Sequence, residues 1–303
     1  MILRVACNET YLPFSKCLLA YCIFCCFRIH SMQLTMTFSD WRVSMFQNSL
    51  FIGIDPTAAK KPFVFIALDD HLLPIQKGST DLPGTLSFLA NQPNCIVAIC
   101  SPLQPNQRLM ENESIRRAVN PSLRPGRWVN YRLCEVILRK HRIKIIPTPS
   151  KEPDCPRWMQ KGFQLYRQLQ KMGFQPFPTE NAPYQYLETY PHAAFTILLG
   201  HHPLPKQSLE GRLQRQLLLY ERNVHLPDPM RFFEEITRYK VLHGNFPTDL
   251  VLIPNELDAA IAAYCAWLAK HNPSSVSLIG HPEEGQILIP TKEMKPRYES
   301  HRW

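Results

Sequence analysis

Short apolar runs with abrupt polar stops dominate the first part of the chain after residue 48, and longer helical periods dominate the rest. Residues 49–54 (SLFIGI) form an apolar run that stops at Asp55-Pro56, which predicts a strand closed by a turn. Residues 61–68 (KPFVFIAL) predict a second strand and 72–76 a third. Connections this short are those of hairpins, so the three strands are expected to be antiparallel. Residues 81–90 read as a helix, and 95–100 (CIVAIC) as a central strand buried on both faces and stopped by Ser101-Pro102.

Beyond this point Val129, Leu133, Val136 and Ile137 recur at helical spacing, predicting a helix over 130–141. A short strand is expected at 143–146. Residues 158–172 form an amphipathic pattern ended by Gly173, a natural helix stop. A strand at 184–190 runs into Pro191, which opens a helix to 199 with Gly200 past its end. Two further helices are expected at 209–221 and 229–242. The strongest pattern is 255–270, where Leu257, Ile261, Tyr264 and Leu268 share a face with alanines beside it. Residues 276–279 and 286–289 predict a closing pair of short strands. A meander leading into alternating strands and helices predicts an α/β fold, a mixed sheet with helices on its faces. The domain is expected to span 49–290, followed by a tail at 291–303.

Residues 1–48 read as an extension outside that fold. The apolar stretch 17–27 (CLLAYCIFCCF), between Lys16 and Arg28, has eleven residues, too few to cross a hydrocarbon core roughly 30 Å thick. No stable membrane span is expected there, and no small-x-small cleavage site follows it. Met36 and Met45 lie just before the first strand, where a shorter chain would start.

The 303-residue chain is 45% hydrophobic and 19% charged, which suits a globular core. Five of its ten cysteines fall in the first 26 residues, and the rest are scattered, so no disulfide framework is implied. That usage fits a reducing compartment, and the expected location is cytoplasmic. Cys22-x-x-Cys25 has no second pair at zinc spacing, which argues against a metal site there. The net charge of +9 favours an anionic partner, nucleic acid or a membrane surface, and is also compatible with simple solubility.

Three acids stand out by position: Asp55 ending the first strand, Glu188 near the end of a later one, and Asp258 in the first turn of the long helix. Carboxylates that converge at one end of a sheet repel, and Mg²⁺ or Mn²⁺ relieves that repulsion while supporting phosphodiester hydrolysis. Each acid has a structural alternative. Asp55 could start a turn before Pro56, and Glu188 could pair with an arginine. With Asn255 as N-cap, Asp258 would stand at N3 and serve the helix amides. The segment from Arg116 to Lys144 is strongly basic, with Arg124, Arg127 and Arg132 among its arginines and Trp128 and Tyr131 interleaved. Lys206, Arg212, Arg215 and Arg222 form a second basic group. Arg124, Arg127, Arg132, Arg212 and Arg215 are the expected nucleic-acid contacts, by phosphate attraction and base stacking. Solvated surface is the alternative. His192, His201 and His202 are expected at the surface rather than on a metal, and Cys100 is expected to be a buried thiol.

Six motifs occur in order: FIGID at 51–55, VAICSPL at 97–103, ETYPHAAF at 188–195, GR at 211–212, LDAAIAA at 257–263 and GHPEEGQI at 280–287. Together they resemble the bacterial and archaeal domain of unknown function 429 family, predicted to be ribonuclease H-like nucleases. The resemblance covers roughly 50–290. It implies a ribonuclease H-like sheet, antiparallel meander plus parallel strands, with helices on both faces. It also implies a metal-dependent nuclease in which Asp55, Glu188 and Asp258 match the family's acids and hold Mg²⁺ or Mn²⁺. Cys100 stands where the family often carries an aspartate, which removes an oxygen ligand and favours the alternative, a non-catalytic nucleic-acid-binding protein. Nucleotide phosphotransfer on an actin-like variant of this fold needs glycine-rich phosphate loops, and no glycine follows Asp55 in Asp55-Pro56-Thr57.

Overall fold

The computed structural model describes residues 49–58, 61–119 and 126–300, with the main chain only at Arg127. The extension at 1–48 and Arg124 lie outside the described residues.

The strands are β1 (Leu50–Asp55), β2 (Phe63–Leu68), β3 (Pro74–Thr80), β4 (Cys95–Ile99), β5 (Gln175–Pro176), β6 (Tyr184–Thr189), β7 (Ser277–His281) and β8 (Gly285–Ile289). They form one eight-stranded sheet in the order β3-β2-β1-β4-β6-β8-β7, with β5 pairing β6 off that path. β2 and β3 are antiparallel, as the short connections require. β1, β4, β6 and β8 run parallel, and β7 returns antiparallel to β8. The helices are α1 (Leu82–Ala90), α2 (Glu113–Val119), α3 (Leu133–Lys140), α4 (Arg157–Lys171), α5 (Pro191–Leu199), α6 (Leu209–Glu221), α7 (Arg231–Glu234), α8 (Arg238–Leu242) and α9 (Pro254–His271). This is the ribonuclease H-like mixed α/β architecture.

The central strands are apolar throughout because both faces are covered. Side chains alternate along a strand with period two, and the two sets enter different cores. Phe51, Ile96, Ala98 and Leu187 pack against α9, α5 and α6. Ile52, Ile54, Val97, Ile99 and Tyr186 pack against α4, with Leu89 of α1. A smaller core joins Cys134 and Leu138 of α3 to Ile287 and Ile289 of β8.

Helix α9 sets the geometry of the first core. By length and composition the segment 248–271 that includes it could cross a bilayer, but 67% of its apolar 18-residue window is buried within the protein. Its alanines allow very close docking on β1. A Cβ built on Gly53 would stand 1.8 Å from the Ala259 carbonyl oxygen and 2.6 Å from the Ala263 nitrogen, so only glycine fits there.

Two expected elements differ. Residues 143–146 form no strand: Ile143 and Ile145 are buried, but β8 already has neighbours on both sides and offers no free edge. The single helix expected over 229–242 is broken into α7 and α8. The Thr237 hydroxyl accepts the Lys240 N–H and starts a new helix instead of continuing the old one.

Candidate active site

Asp55 belongs to the set of β1 residues that faces α9, two positions on from Gly53. One carboxylate oxygen accepts the Thr57 N–H at 2.9 Å, so the aspartate shapes the turn at Pro56 as well. The other accepts the Asn255 side-chain N–H at 2.6 Å, joining β1 to the start of α9. The turn reading of Asp55 therefore describes one of its two oxygens.

Asp258 is not the N3 residue of its helix. Helix α9 begins at Pro254, Glu256 is N3, and its carboxylate accepts the Ile253 N–H at 3.1 Å. Asp258 lies two residues further in, with its side chain only 12% exposed, and its Oδ2 meets Lys206 Nζ at 2.8 Å. Burial pushes the Asp258 carboxyl up to about 6, against the pull of Lys206, and the negative charge of Asp55 adds to the rise. Burial opposes the Lys206 ammonium, but attraction and a hydrogen bond to Asp258 outweigh it and hold its pKa above the ordinary value.

Both acids line one cavity of about 480 Å³. Lys61, Lys206 and Arg215 give it positive charge, and Trp158, Tyr190 and His192 line it, with the fully buried Phe195 behind them. The Arg215 guanidinium stands 5.4 Å from the Phe195 ring centre and donates to the Leu204 and Gly211 carbonyls. Lys161 of α4 props the Asp55 turn from behind, donating to the carbonyls of Pro56 and Lys61. Burial, then the nearby His202 and cations, drive the His192 imidazole down to about 4, so it is neutral at neutral pH. It is a cavity residue, not the surface residue expected. Cys100 also reaches this cavity, buried, with its thiol donating to the Asp258 carbonyl at 3.4 Å. Burial, then the charges of Asp55 and Asp258, hold that thiol well above its ordinary pKa, so it stays protonated as expected for a structural cysteine.

Glu188 does not join this pair. It is in register with Ile99 of β4, which in turn pairs Ile54, and that row of side chains points to the α4 face. The row of Asp55 is one residue on, and the period of two puts Glu188 on the opposite side of the sheet. There both its oxygens are taken by the Arg132 guanidinium, at 2.9 and 2.5 Å, and the Leu103 N–H donates to one of them at 2.9 Å. The arginine-partner reading of Glu188 is the one this geometry follows.

The expected nucleic-acid contacts are largely spent inside the fold. Arg132 is 1% exposed and also pairs Glu135 at 3.0 Å, so it is a core residue. Arg212 donates to the Leu252 and Val251 carbonyls at 2.9 and 2.5 Å and ties α6 to the loop before α9. Arg215 alone of the described guanidinium groups in that set lines the cavity. Arg124 and the Arg127 side chain lie outside the described residues. Elsewhere in the basic segment, Arg116 donates to the Met110 and Glu111 carbonyls, Arg117 pairs Glu113, and Arg139 lies over the Tyr131 ring.

Sequence reasoning missed Lys61, Trp158 and Tyr190 as cavity residues, and took Asn255 as a cap. Asn255 had a readable signal, since three residues before Asp258 places both on one face of a helix. The others carry no local signal. Among the described residues no group of three or more His, Cys, Asp or Glu side chains is placed to hold a metal ion, and the five cysteines are buried and unpaired.

No curated protein and no solved structure gives a significant match to the chain. One family model, described as a protein of unknown function, DUF429, matches residues 53–284, a span that contains Asp55, Glu188 and Asp258. That match covers most of the chain and reaches from the strand bearing Gly53 to the last hairpin, so the protein belongs to the DUF429 family.

Proposed function

We propose that the chain hydrolyses phosphodiester bonds of nucleic acid at this cavity, with one divalent cation, Mg²⁺ or Mn²⁺, held by Asp55 and Asp258. The observation that carries the reading is this pair of buried carboxylates facing one cavity beside Lys206 and Arg215. Their donor set suits a hard cation: two carboxylates are enough, since Mg²⁺ keeps several waters and shares phosphate oxygens. It does not suit a two-metal arrangement, because Glu188 is bound to Arg132 and Cys100 offers a protonated sulfur.

When bound, the cation would supply Lewis-acid stabilisation of charge on the phosphate. The remaining work falls to the chain. Asn255 and the Thr57 N–H fix the Asp55 carboxylate in one orientation. Lys206 and Arg215 offer positive charge to the non-bridging phosphate oxygens. His192 presents a neutral imidazole on the same wall, able to accept a proton at its unprotonated ring nitrogen.

The test is cleavage of single- and double-stranded DNA, RNA and hybrid by the full chain in Mn²⁺. Asp55→Asn and Asp258→Asn should each lower the rate by at least ~100-fold, beyond the loss seen when only the supporting shell of a metal site is removed. Full activity in Asp55→Asn would end the proposal. A second reading, nucleic-acid binding without cleavage, is favoured by the Lys206–Asp258 ion pair, which already places a cation against one acid, and by Cys100. It predicts salt-sensitive binding and no metal-dependent cleavage.

A further inference from the structure

The shape and lining of the cavity say more about its ligand than its acids do. Its volume, about 480 Å³, falls in the range of pockets that enclose one small molecule, not a groove that tracks a duplex. The lining is divided. Asp55, Asp258, Lys61, Lys206 and Arg215 supply charge, while the half-buried Trp158 and Tyr190 supply flat apolar surface. Outside the cavity, Arg116, Arg117, Arg132 and Arg212 of the two basic groups are engaged by the protein's own carboxylates and carbonyls.

From these observations we infer that the cavity takes a single nucleotide unit, free or at the end of a single strand, with its phosphate at the charged side and its base against the Trp158 wall. The inference rests on reading this cavity as the functional site and narrows the substrate to one unstacked nucleotide. A base inside a duplex would have to be flipped out to enter, losing its stacking and pairing. A terminal nucleotide avoids most of that cost. Stacking on an aromatic side chain is tolerant of base identity, so the recognition expected is of a nucleotide, not of a sequence.

Isothermal titration of the full chain tests this, in Mg²⁺ and separately in chelator. The probes are adenosine monophosphate, thymidine monophosphate, inorganic phosphate, a linear single-stranded oligonucleotide, its circularised form and a duplex with closed ends. Both nucleotides and the linear strand should bind, and the circle and the closed duplex should bind at least tenfold more weakly. A linear strand that binds while the free nucleotides do not would assign the strand terminus as the ligand, within the same chemistry. Trp158→Leu, which keeps apolar bulk for packing, should weaken nucleotide binding roughly tenfold, the scale of one base–aromatic stack, and leave inorganic phosphate unchanged. Trp158→Phe should retain binding. Circle or closed duplex bound as tightly as the linear strand, or Trp158→Leu without effect, overturns the inference. Nucleotide binding with no cleavage in Mn²⁺ supports it while removing the hydrolase reading. Cleavage within a circular strand does the reverse.

Discussion

Two groups of acids meet this sheet one residue apart along the strands and on opposite faces. Around Arg132, every acid is saturated. Glu188 and Glu135 share the guanidinium, the Thr148 hydroxyl and N–H bind Glu135, and the Gln107 and Leu133 N–H groups bind Glu284. Around Asp258, one partner is a lysine whose side chain is 46% exposed, and the remainder faces a cavity. The first arrangement has no capacity left for a ligand and joins the loops at 103, 132, 148 and 284 into one body. The second keeps a charge in a place that disfavours it. Burial of acids alone therefore does not mark a site. What marks it is burial with incomplete compensation.

Breaking the saturated group should have the largest effect. Arg132→Met leaves Glu135 and Glu188 buried without a cation, and removing one partner of such a pair typically costs ~3–5 kcal/mol. Urea unfolding should show that loss, while Asp55→Asn and Asp258→Asn stay folded. A stable Arg132→Met would erase the contrast between the two regions.

Gly53→Ala comes next. The added methyl group would drive against the Ala259 carbonyl and push α9 off β1, an overpacking expected to cost ~1–3 kcal/mol. Because Asp55 and Asp258 sit on those two elements, catalysis should fall by more than the loss of folded protein explains. Thermal unfolding and the rate per folded molecule, measured together, separate the two effects.

The smallest effect is expected from Asp258→Asn, and its size depends on pH. The folded carboxyl titrates at about 6, above its ordinary 3.8. Between those values the folded state binds more protons than the unfolded state, so this group's contribution to stability falls as pH rises. The amide removes that penalty. The variant should match the wild type near pH 4 and melt higher above pH 7. A difference in melting temperature that stays flat with pH would show that Asp258 is not held against its charge.

Much of the sheet was legible because apolar runs ended at Asp-Pro, Ser-Pro or Gly. The long helix was also legible, although its N-cap is Ile253 and not Asn255, and that shift of two positions removed the cap reading of Asp258. Glu188 illustrates what could not be read. Its strand was correctly placed, but the sequence does not state how β6 is registered against β4 and β1, and one residue of register decides the face. Arg132 looked like part of a basic surface because its partners stand 3 and 56 residues away, and the second distance has no local trace. His192 follows a proline at a helix start, where exposure is a fair guess, and is drawn inward by elements far along the chain. Local pattern specified the strands and helices, while pairing between distant elements decided which charges were free to act.

The contact at Gly53 makes the spacing of the two aspartates a property of the main chain. Since main chain touches main chain there, the interval between the two aspartates does not depend on how any side chain packs. Substitutions in the loops, on the cavity rim or at Cys100 then leave that interval set by the backbone contact, much as a fixed jaw accepts different tools.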